Sequence, residues 1–270
     1  MDYQNCLRIM KKDWKGTIRT KEIFFAIILF PILFTVVMPI LMMIGVLASP
    51  LEFGQAFGDM NMLKAVLNIP GYYNDYLVGA VLMIKMMVLP MFLFVPGFMS
   101  SIISSDSFAG EKERKTMENV ALLPITKTEL IVGKVLTSFV PSIMITISCF
   151  FGTGLIINLM FLPHLEGTIL IFTDLGDLLV GFVLAPTLAF LNIQISVIIS
   201  SRSKDLKSAQ SISGSLITPI IAIFFVQMFN PAFLSPIMVL IISGIMGGLC
   251  VVFVKIANRL LDIEKLILTL

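Results

Sequence analysis

Charged residues and the side chains that usually bind metals are scarce in this sequence. Of its 270 residues only 13% are charged, one is a histidine and three are cysteines. A lone histidine without a cysteine cluster excludes most metal sites. Two of the cysteines, Cys149 and Cys250, lie inside apolar runs, so no disulfide framework is expected. No polar stretch is long enough for a separate domain, and we predict a single transmembrane domain over residues 1–270.

Motifs for catalysis and nucleotide binding are lacking as well. The nearest approach to a phosphate-binding G-x-x-x-x-G-K-[ST] loop is Gly133-Lys134, which has neither the upstream glycine nor the following hydroxyl. No serine or cysteine has a plausible general base within an apolar segment. We therefore predict that the chain has no catalytic residues and binds no metal or cofactor itself, and we expect no nucleic-acid partner.

Apolar residues dominate instead. They make up 57% of the chain, and the mean hydropathy is +1.00, far above that of a soluble domain. A helix needs about 20 apolar residues to cross a bilayer. Six segments meet this requirement: 23–48, 81–103, 130–161, 175–200, 210–229 and 233–256. The sequence predicts an all-α polytopic membrane protein with six transmembrane helices. We expect Lys85, one turn inside the second span, to extend towards the membrane interface. The alternative is a buried functional charge.

The first 22 residues are polar and basic, with one apolar stripe. Tyr3, Leu7, Met10, Trp14 and Ile18 follow one another at helical spacing, and the other sides of the helix carry Arg8, Lys11, Lys12, Lys15 and Arg19. This pattern is typical of an amphipathic helix that lies along anionic headgroups. We predict an interfacial helix over residues 1–22 with Trp14 as its interfacial anchor. The alternative is a disordered basic tail.

The distribution of Lys and Arg predicts the orientation in the membrane. The N-terminus, residues 104–134, residues 201–209 and the C-terminal tail contain 17 of the 19 basic residues. The alternate connections contain only Lys64, and Lys85 lies at their rim. Because short cytoplasmic loops are enriched in Lys and Arg, both termini are predicted to be cytoplasmic.

The longest charged interruption lies between the second and third spans, in residues 104–126. Glu111 with Lys115 and Arg114 with Glu118 are four residues apart, a spacing that places opposite charges side by side on a helix. Pro124 should end that helix at residue 123. The pattern predicts a short surface helix on the cytoplasmic side. A solvated loop without a docking role is the alternative.

The third span has its own start signal. Thr126 and Glu129 have the spacing of a capping box, in which a hydroxyl and a carboxylate each accept a hydrogen bond from an orphan backbone amide. The helix that contains the third span should therefore begin directly after Thr126.

The order of residues in this segment resembles a motif of type-2 ABC transporter permeases, the membrane subunits of ABC exporters. There, a loop of the form F-A-x-E-x-E-R-G-T-x-E-x-L-L-x-x-P-I-T follows the second span and docks onto the ATPase subunit. The matching positions here are Phe108, Ala109, Glu111, Glu113, Arg114, Thr116, Glu118, Leu122, Pro124, Ile125 and Thr126. Lys115 replaces the usual glycine, which makes the helix stiffer and more basic.

The resemblance implies a permease that forms the translocation path as a homo- or heterodimer in the plasma membrane. Two copies of a cytosolic ABC ATPase would dock beneath it and hold ATP-Mg, and the surface helix would be the coupling helix. The residues that the resemblance places against the ATPase are Glu111, Glu113, Arg114, Thr116, Glu118, Leu122 and Leu123. In families of this kind the substrate path lies mainly at the dimer interface.

A self-sufficient secondary transporter or channel is the alternative from another class. Such proteins usually bury ionisable residues at the middle of the membrane. The middles of the six predicted spans contain none, and Asn158, Asn192 and Gln194 are the strongest polar candidates for a pathway.

Overall fold

The structure, a computed structural model, describes residues 3–49, 60–114, 126–165, 169–171, 174–203, 206–230 and 232–260. Within these ranges it contains helices and no strand. The helices are α1 (Tyr3–Arg19), α2 (Lys21–Ala48), α3 (Met60–Val66), α4 (Asp75–Gly110), α5 (Lys127–Met160), α6 (Leu175–Ser200, with its last turn reaching Arg202), α7 (Lys207–Phe229, starting at Leu206) and α8 (Pro236–Leu260).

Six of these helices, α2 and α4 to α8, are long and apolar enough to span a membrane, which confirms the predicted fold class. The span predicted at 175–200 has the same limits in the structure. The second span is longer than predicted, because α4 begins at Asp75, where the Asn74 side chain caps Leu77, and ends only at Gly110. The start of the charged segment is thus part of a membrane helix.

The helices α2, α4 and α6 each contain a π-helical turn that is followed, two residues later, by a proline. The turns and their prolines are Leu33–Val37 with Pro39, Ile84–Val88 with Pro90, and Val180–Leu184 with Pro186. The residue before each proline donates its N–H five residues back rather than four. A proline has no N–H and its ring clashes with the carbonyl four residues earlier, and the wider turn accommodates both effects.

Carbonyls in the turns before Pro39 and Pro90 find partners on other spans. The Thr153 hydroxyl of α5 donates to the Thr35 carbonyl in α2. The Gln227 amide of α7 donates to the Lys85 carbonyl in α4 at 2.8 Å. Because unpaired backbone groups are costly away from water, these bonds fix α2 to α5 and α7 to α4.

The core lies around α4 and α6. Ile84 and Leu93 of α4 pack with Leu184 of α6, Phe161 after α5 and Met43 of α2, and all five side chains are buried. Many large apolar side chains on α2, α7 and α8 are exposed instead. A lipid-facing surface has this composition, because lipid tails are as apolar as the side chains themselves.

Lys85 extends towards one end of the bundle, where carboxylates hold it. Its ammonium donates to Asp174 Oδ2 at 2.7 Å and to Asp177 Oδ1 at 2.5 Å, at the start of α6. These three residues form the outer charge triad. A sequence window that covers one span does not reveal this arrangement, because the carboxylates lie about ninety positions further along the chain.

Candidate functional site

The charged segment begins inside the protein rather than in a surface loop. The last turn of α4, Asp106–Gly110, is π-helical and continues through Glu111–Glu113. Phe108 packs against Ile193 and Val197 of α6, and all three side chains are buried. This packing fixes the direction in which the chain continues to Glu111 and Arg114.

Lys134 of α5 is the centre of the site. Its side chain is 1% exposed, although it carries a charge. The ammonium donates to Glu111 Oε2 at 2.5 Å and to the Ser107 carbonyl, and it lies 4.5 Å from the centre of the Phe108 ring. A buried lysine is tolerated when charge-assisted hydrogen bonds and a ring face replace its water shell.

Helix α1 contributes Lys12 and Asp13, which contact Glu111, Ser107 and Lys134. Lys12 donates to Glu111 Oε1 at 2.6 Å, so Glu111 is held by two lysines from different helices. Asp13 Oδ2 accepts from the Ser107 hydroxyl at 3.0 Å and lies 3.7 Å from the Lys134 ammonium. The amphipathic helix is thereby bonded to the end of α4 and to the start of α5.

A second carboxylate, Asp106, completes the connection between α1 and α4. Its Oδ2 accepts from the Thr17 hydroxyl and its Oδ1 from Arg114 Nη2, both at 2.9 Å. Arg114 Nη1 donates to the Thr20 hydroxyl at 3.4 Å. We call Lys12, Asp13, Asp106, Glu111, Arg114 and Lys134 the inner charge cluster. A cavity of about 160 Å³ lies among Asp106, Glu111 and the facing residues of α1.

The pKa values of the two carboxylates that share Lys134 are shifted in opposite directions. Burial raises the pKa of Asp13, and the Lys134 ammonium opposes this only in part, because Glu111 lies close by and is also negative. Burial also acts to raise the pKa of Glu111, but the contacts with Lys134 and Lys12 outweigh it and hold that pKa below its usual range. Protonation is therefore more favourable at Asp13 than at Glu111.

Helices α1 and α5 pack closely against each other at Gly133. A Cβ at Gly133 would lie 2.9 Å from the Cβ of Ile9, so only glycine permits the observed distance. One turn earlier, the Cys6 thiol donates to the Glu129 carbonyl at 3.6 Å. Cys6, Ile9, Asp13 and Thr17 are buried at helical spacing and form the face of α1 that contacts the protein.

The predicted capping box is confirmed. The Thr126 hydroxyl accepts from the Glu129 N–H at 3.3 Å, and Glu129 Oε2 accepts from the Thr126 N–H at 3.0 Å. Helix α5 therefore begins at Lys127, and the capping box sets the register that carries Lys134 to Glu111.

The residues predicted to contact an ATPase occupy different environments. Glu111 is 6% exposed and bonded within the chain, whereas Glu113 is exposed. Arg114 is partly exposed and bonded to Asp106. The others, Thr116, Glu118, Leu122 and Leu123, lie outside the described residues.

The predicted anchor Trp14 is half-buried and packs against the cluster of Ile23, Ile27, Val95, Met99 and Ile103. It therefore joins α1 to α2 and α4. The neighbouring stripe residues Tyr3, Leu7 and Ile18 are exposed.

Of the three polar candidates for a pathway, Asn158 and Asn192 form hydrogen bonds within the chain. Asn158 donates to the Gly154 carbonyl and accepts from the Leu170 N–H, both at 2.8 Å, and so ties the end of α5 to the next connection. Asn192 is buried and donates to the Gly97 carbonyl at 3.5 Å. Gln194 is 4% exposed, and neither amide atom has a hydrogen-bond partner among the described residues.

Sequence reasoning missed four members of the inner charge cluster: Lys12, Asp13, Asp106 and Lys134. Two signals were present. Asp13 is the only acidic residue in the basic helix α1, and Lys134 stands where an otherwise apolar span has begun. A charge of unusual sign or place often has a partner in a distant part of the chain.

The geometry is that of a membrane subunit whose charged segment is bonded to three helices. A comparison with family models agrees, because the model described as ABC-2 family transporter protein matches residues 7–258. The chain therefore belongs to the ABC-2 transporter family. Searches of curated proteins and of solved structures found no match.

Proposed function

We propose that this chain is the permease subunit of an ATP-driven exporter. It forms the translocation path as a dimer in the plasma membrane, with both termini in the cytoplasm. Two ABC ATPase subunits carry ATP-Mg and dock at the charged segment after α4. Family membership supports a transport subunit, and the motif around Glu111 supports the site of docking.

The observation that carries this proposal is the position of Glu111. It lies at the start of the charged segment, and its two carboxylate oxygens contact Lys12 of α1 and Lys134 of α5. Breaking the buried ion pair between Glu111 and Lys134 costs about 3–5 kcal/mol, so a force on the segment moves α5 with it. The more exposed contact with Lys12 adds a weaker connection to α1. Glu111 thus anchors the coupling segment to the permease.

The residues after Glu111 would make the contact with the ATPase. Glu113 is exposed, as a residue at a docking surface must be before the partner binds. The predicted contacts Thr116, Glu118, Leu122 and Leu123 follow it. In this proposal, closure of the ATPases pulls on residues 113–123, and the inner charge cluster passes the motion to α1, α4 and α5.

The alternative, a self-sufficient transporter or channel, has less support. In the described spans, Lys85 and Asp177 lie towards one end of the bundle, and Asp106 and Lys134 lie towards the other. A proton or ion relay would need such groups at the middle of the membrane.

The test is to purify the chain with the ATPase that accompanies it in the cell and to measure the affinity of the two subunits. Glu113→Lys reverses a charge at the proposed docking surface and should weaken binding by about tenfold or more. Lys255→Glu reverses an exposed charge at the end of α8 and should change the affinity by less than about twofold.

Two outcomes would contradict the proposal. One is that no ATPase accompanies the purified chain. The other is that Glu113→Lys and Lys255→Glu bind the ATPase and support transport as the parent does. In the second case the charged segment is a solvated loop and not the docking site.

A further inference from the structure

A cavity of about 620 Å³ opens at the end of the bundle opposite to α1. Its wall is formed by the connection between α3 and α4, by Lys85, by residues 169, 170 and 174, and by Pro236 at the start of α8. This volume is that of a pocket for a drug-sized molecule. We call it the outer cavity, because the loop charges predict that this end of the bundle faces outward.

Lys85 and two carboxylates form the charged part of the outer cavity. Lys85 and Asp174 line it, and Asp177 lies behind Lys85 with 1% of its surface exposed. Two carboxylates therefore share one ammonium. The Lys85 side chain is only 15% exposed and already donates to both carboxylates, whereas the Asp174 side chain is 47% exposed. A ligand entering the cavity meets the carboxylate first.

Asp174 is held in its ionised form. Burial alone would raise its pKa, but the hydrogen bond from Lys85 and the amides of Gly176 and Leu175 outweigh burial and lower it. The amides belong to the first turn of α6, where Asp174 is the N-cap and accepts from the Gly176 N–H at 3.2 Å. The negative charge is thus fixed in place by the helix start.

The rest of the wall is aromatic and apolar. Tyr72 and Tyr73 line the cavity, with ring centres 5.1 Å apart in an edge-to-face arrangement. Leu67, Ile69, Ile169, Leu170 and Pro236 supply the remaining surface. Aromatic faces attract organic cations, and more strongly when the cation has lost water.

We propose that the outer cavity is a binding site for an organic cation with an apolar body. The cationic group would lie against Asp174 and the two tyrosines, and the apolar body against the isoleucine and leucine side chains. An organic anion fits poorly because Lys85, the one ammonium among the described residues of the wall, is already paired with two carboxylates. A metal ion is also disfavoured, since the described residues contain no group of three or more ligating side chains. This inference stands independently of the proposed docking of an ATPase.

Two ions of nearly the same shape and opposite charge test the site: tetraphenylphosphonium and tetraphenylborate. A reporter thiol is placed at the exposed rim by Ile169→Cys, in a full-length chain whose Cys6, Cys149 and Cys250 are replaced by alanine. The rate at which a maleimide labels this thiol is measured in a neutral detergent with increasing amounts of each ion. Tetraphenylphosphonium should slow labelling in a saturable manner, and tetraphenylborate should not.

Asp174→Asn is the variant that tests the charge. Asparagine is as good a helix N-cap as aspartate, and the contact between Lys85 and Asp177 remains, so the fold should be kept. The apparent affinity for tetraphenylphosphonium should fall by about fivefold or more. The matched control is Asp75→Asn, which removes an exposed carboxylate from the same end of the bundle outside the cavity wall. Its affinity should stay within about twofold of the parent.

Direct binding of labelled tetraphenylphosphonium by equilibrium dialysis provides a second measurement, which needs no reporter thiol. Saturable binding that Asp174→Asn weakens and Asp75→Asn does not would support the site. Equal protection by the two ions, protection by neither, or equal affinities of Asp174→Asn and Asp75→Asn would overturn it.

Discussion

The Lys134 ammonium and the Glu111 carboxylate are 2.5 Å apart in the interior of the protein, where the Lys134 side chain is fully buried. Lys134 belongs to the third span, and Glu111 directly follows the second. The pair therefore fixes the start of the charged segment to two membrane helices. A buried lysine has few alternative partners, so this contact persists only while the end of α4 keeps its position.

Removal of Lys134 should be strongly destabilising. In Lys134→Met the carboxylates of Glu111 and Asp13 remain buried without their shared cation, and we expect a loss of about 3–5 kcal/mol in the free energy of unfolding. Lys12→Met is the control, because the Lys12 side chain is 52% exposed, and its cost should be below about 1 kcal/mol. Thermal unfolding of the purified chain in detergent measures both. Equal melting temperatures would contradict the central role of Lys134.

The pair of Asp13 and Glu111 predicts a pH dependence with a definite sign. Because burial raises the pKa of Asp13 in the folded chain, the folded state binds this proton more tightly than the unfolded state. Stability from Asp13 is therefore present below its ordinary pKa and is lost as the pH rises through the raised value. Glu111 acts in the opposite sense, since its lowered pKa contributes stability that is lost as the pH falls.

The variant Asp13→Asn separates these two contributions. Asparagine keeps an acceptor for the Ser107 hydroxyl but has no proton to lose. The melting temperature of Asp13→Asn minus that of the parent should therefore increase as the pH is raised from about 4 to about 7. Melting curves at four or five pH values in this range test the sign. A difference in melting temperature that is constant or that decreases with pH would show that the pKa of Asp13 is not raised in the folded chain.

The sequence predicts those features that depend on local composition or spacing. Six apolar segments of sufficient length specify six spans, and the capping box at Thr126 and Glu129 depends only on residues three positions apart. The π-helical turns were not predicted, although their prolines are visible. A proline shows where a helix must adapt, but the form of the adaptation depends on the partner that accepts the released carbonyl, such as Thr153 for Thr35.

The inner charge cluster could not be predicted by the same means. Helix spacing identifies partners three or four residues away, whereas Lys12 and Glu111 are 99 positions apart. The expectation that the charges of this segment form local pairs on a surface helix overlooked the partners on α1 and α5. Trp14 is a second example of contacts that local spacing does not show. The apolar stripe of α1 indicated a membrane anchor, but Trp14 also packs against Ile23 and Met99, which lie on other helices.

The predicted orientation has a direct test. Tyr72 and Lys207 are exposed at opposite ends of the bundle. In Tyr72→Cys, an impermeant maleimide added to intact cells should label the chain, and in Lys207→Cys it should label only after the cells are opened. The native cysteines are buried or half-buried and should give little background. The opposite labelling pattern would place the charged segment outside and would exclude docking of a cytosolic ATPase.

The close contact between α1 and α5 leads to the last prediction. A methyl group at Gly133 would meet the Cβ of Ile9 at 2.9 Å, and a Cβ cannot rotate away, so Gly133→Ala must displace α1. Overpacking of this kind costs about 1–3 kcal/mol. Displacement of α1 also lengthens the contacts of Lys12 with Glu111 and of Asp13 with Ser107, which hold the charged segment.

Gly152→Ala is the matched control, since it makes the same substitution in the same helix where nothing lies within 4 Å of the new methyl group. It should be neutral or stabilising by up to about 1 kcal/mol, because alanine favours a helix over glycine. If the inner charge cluster passes motion from the ATPase, Gly133→Ala should lower transport per ATP hydrolysed while the ATPase remains bound, and Gly152→Ala should not. A reduced melting temperature of Gly133→Ala would prove the steric effect. If transport per ATP hydrolysed is nevertheless that of the parent, α1 has only a structural role.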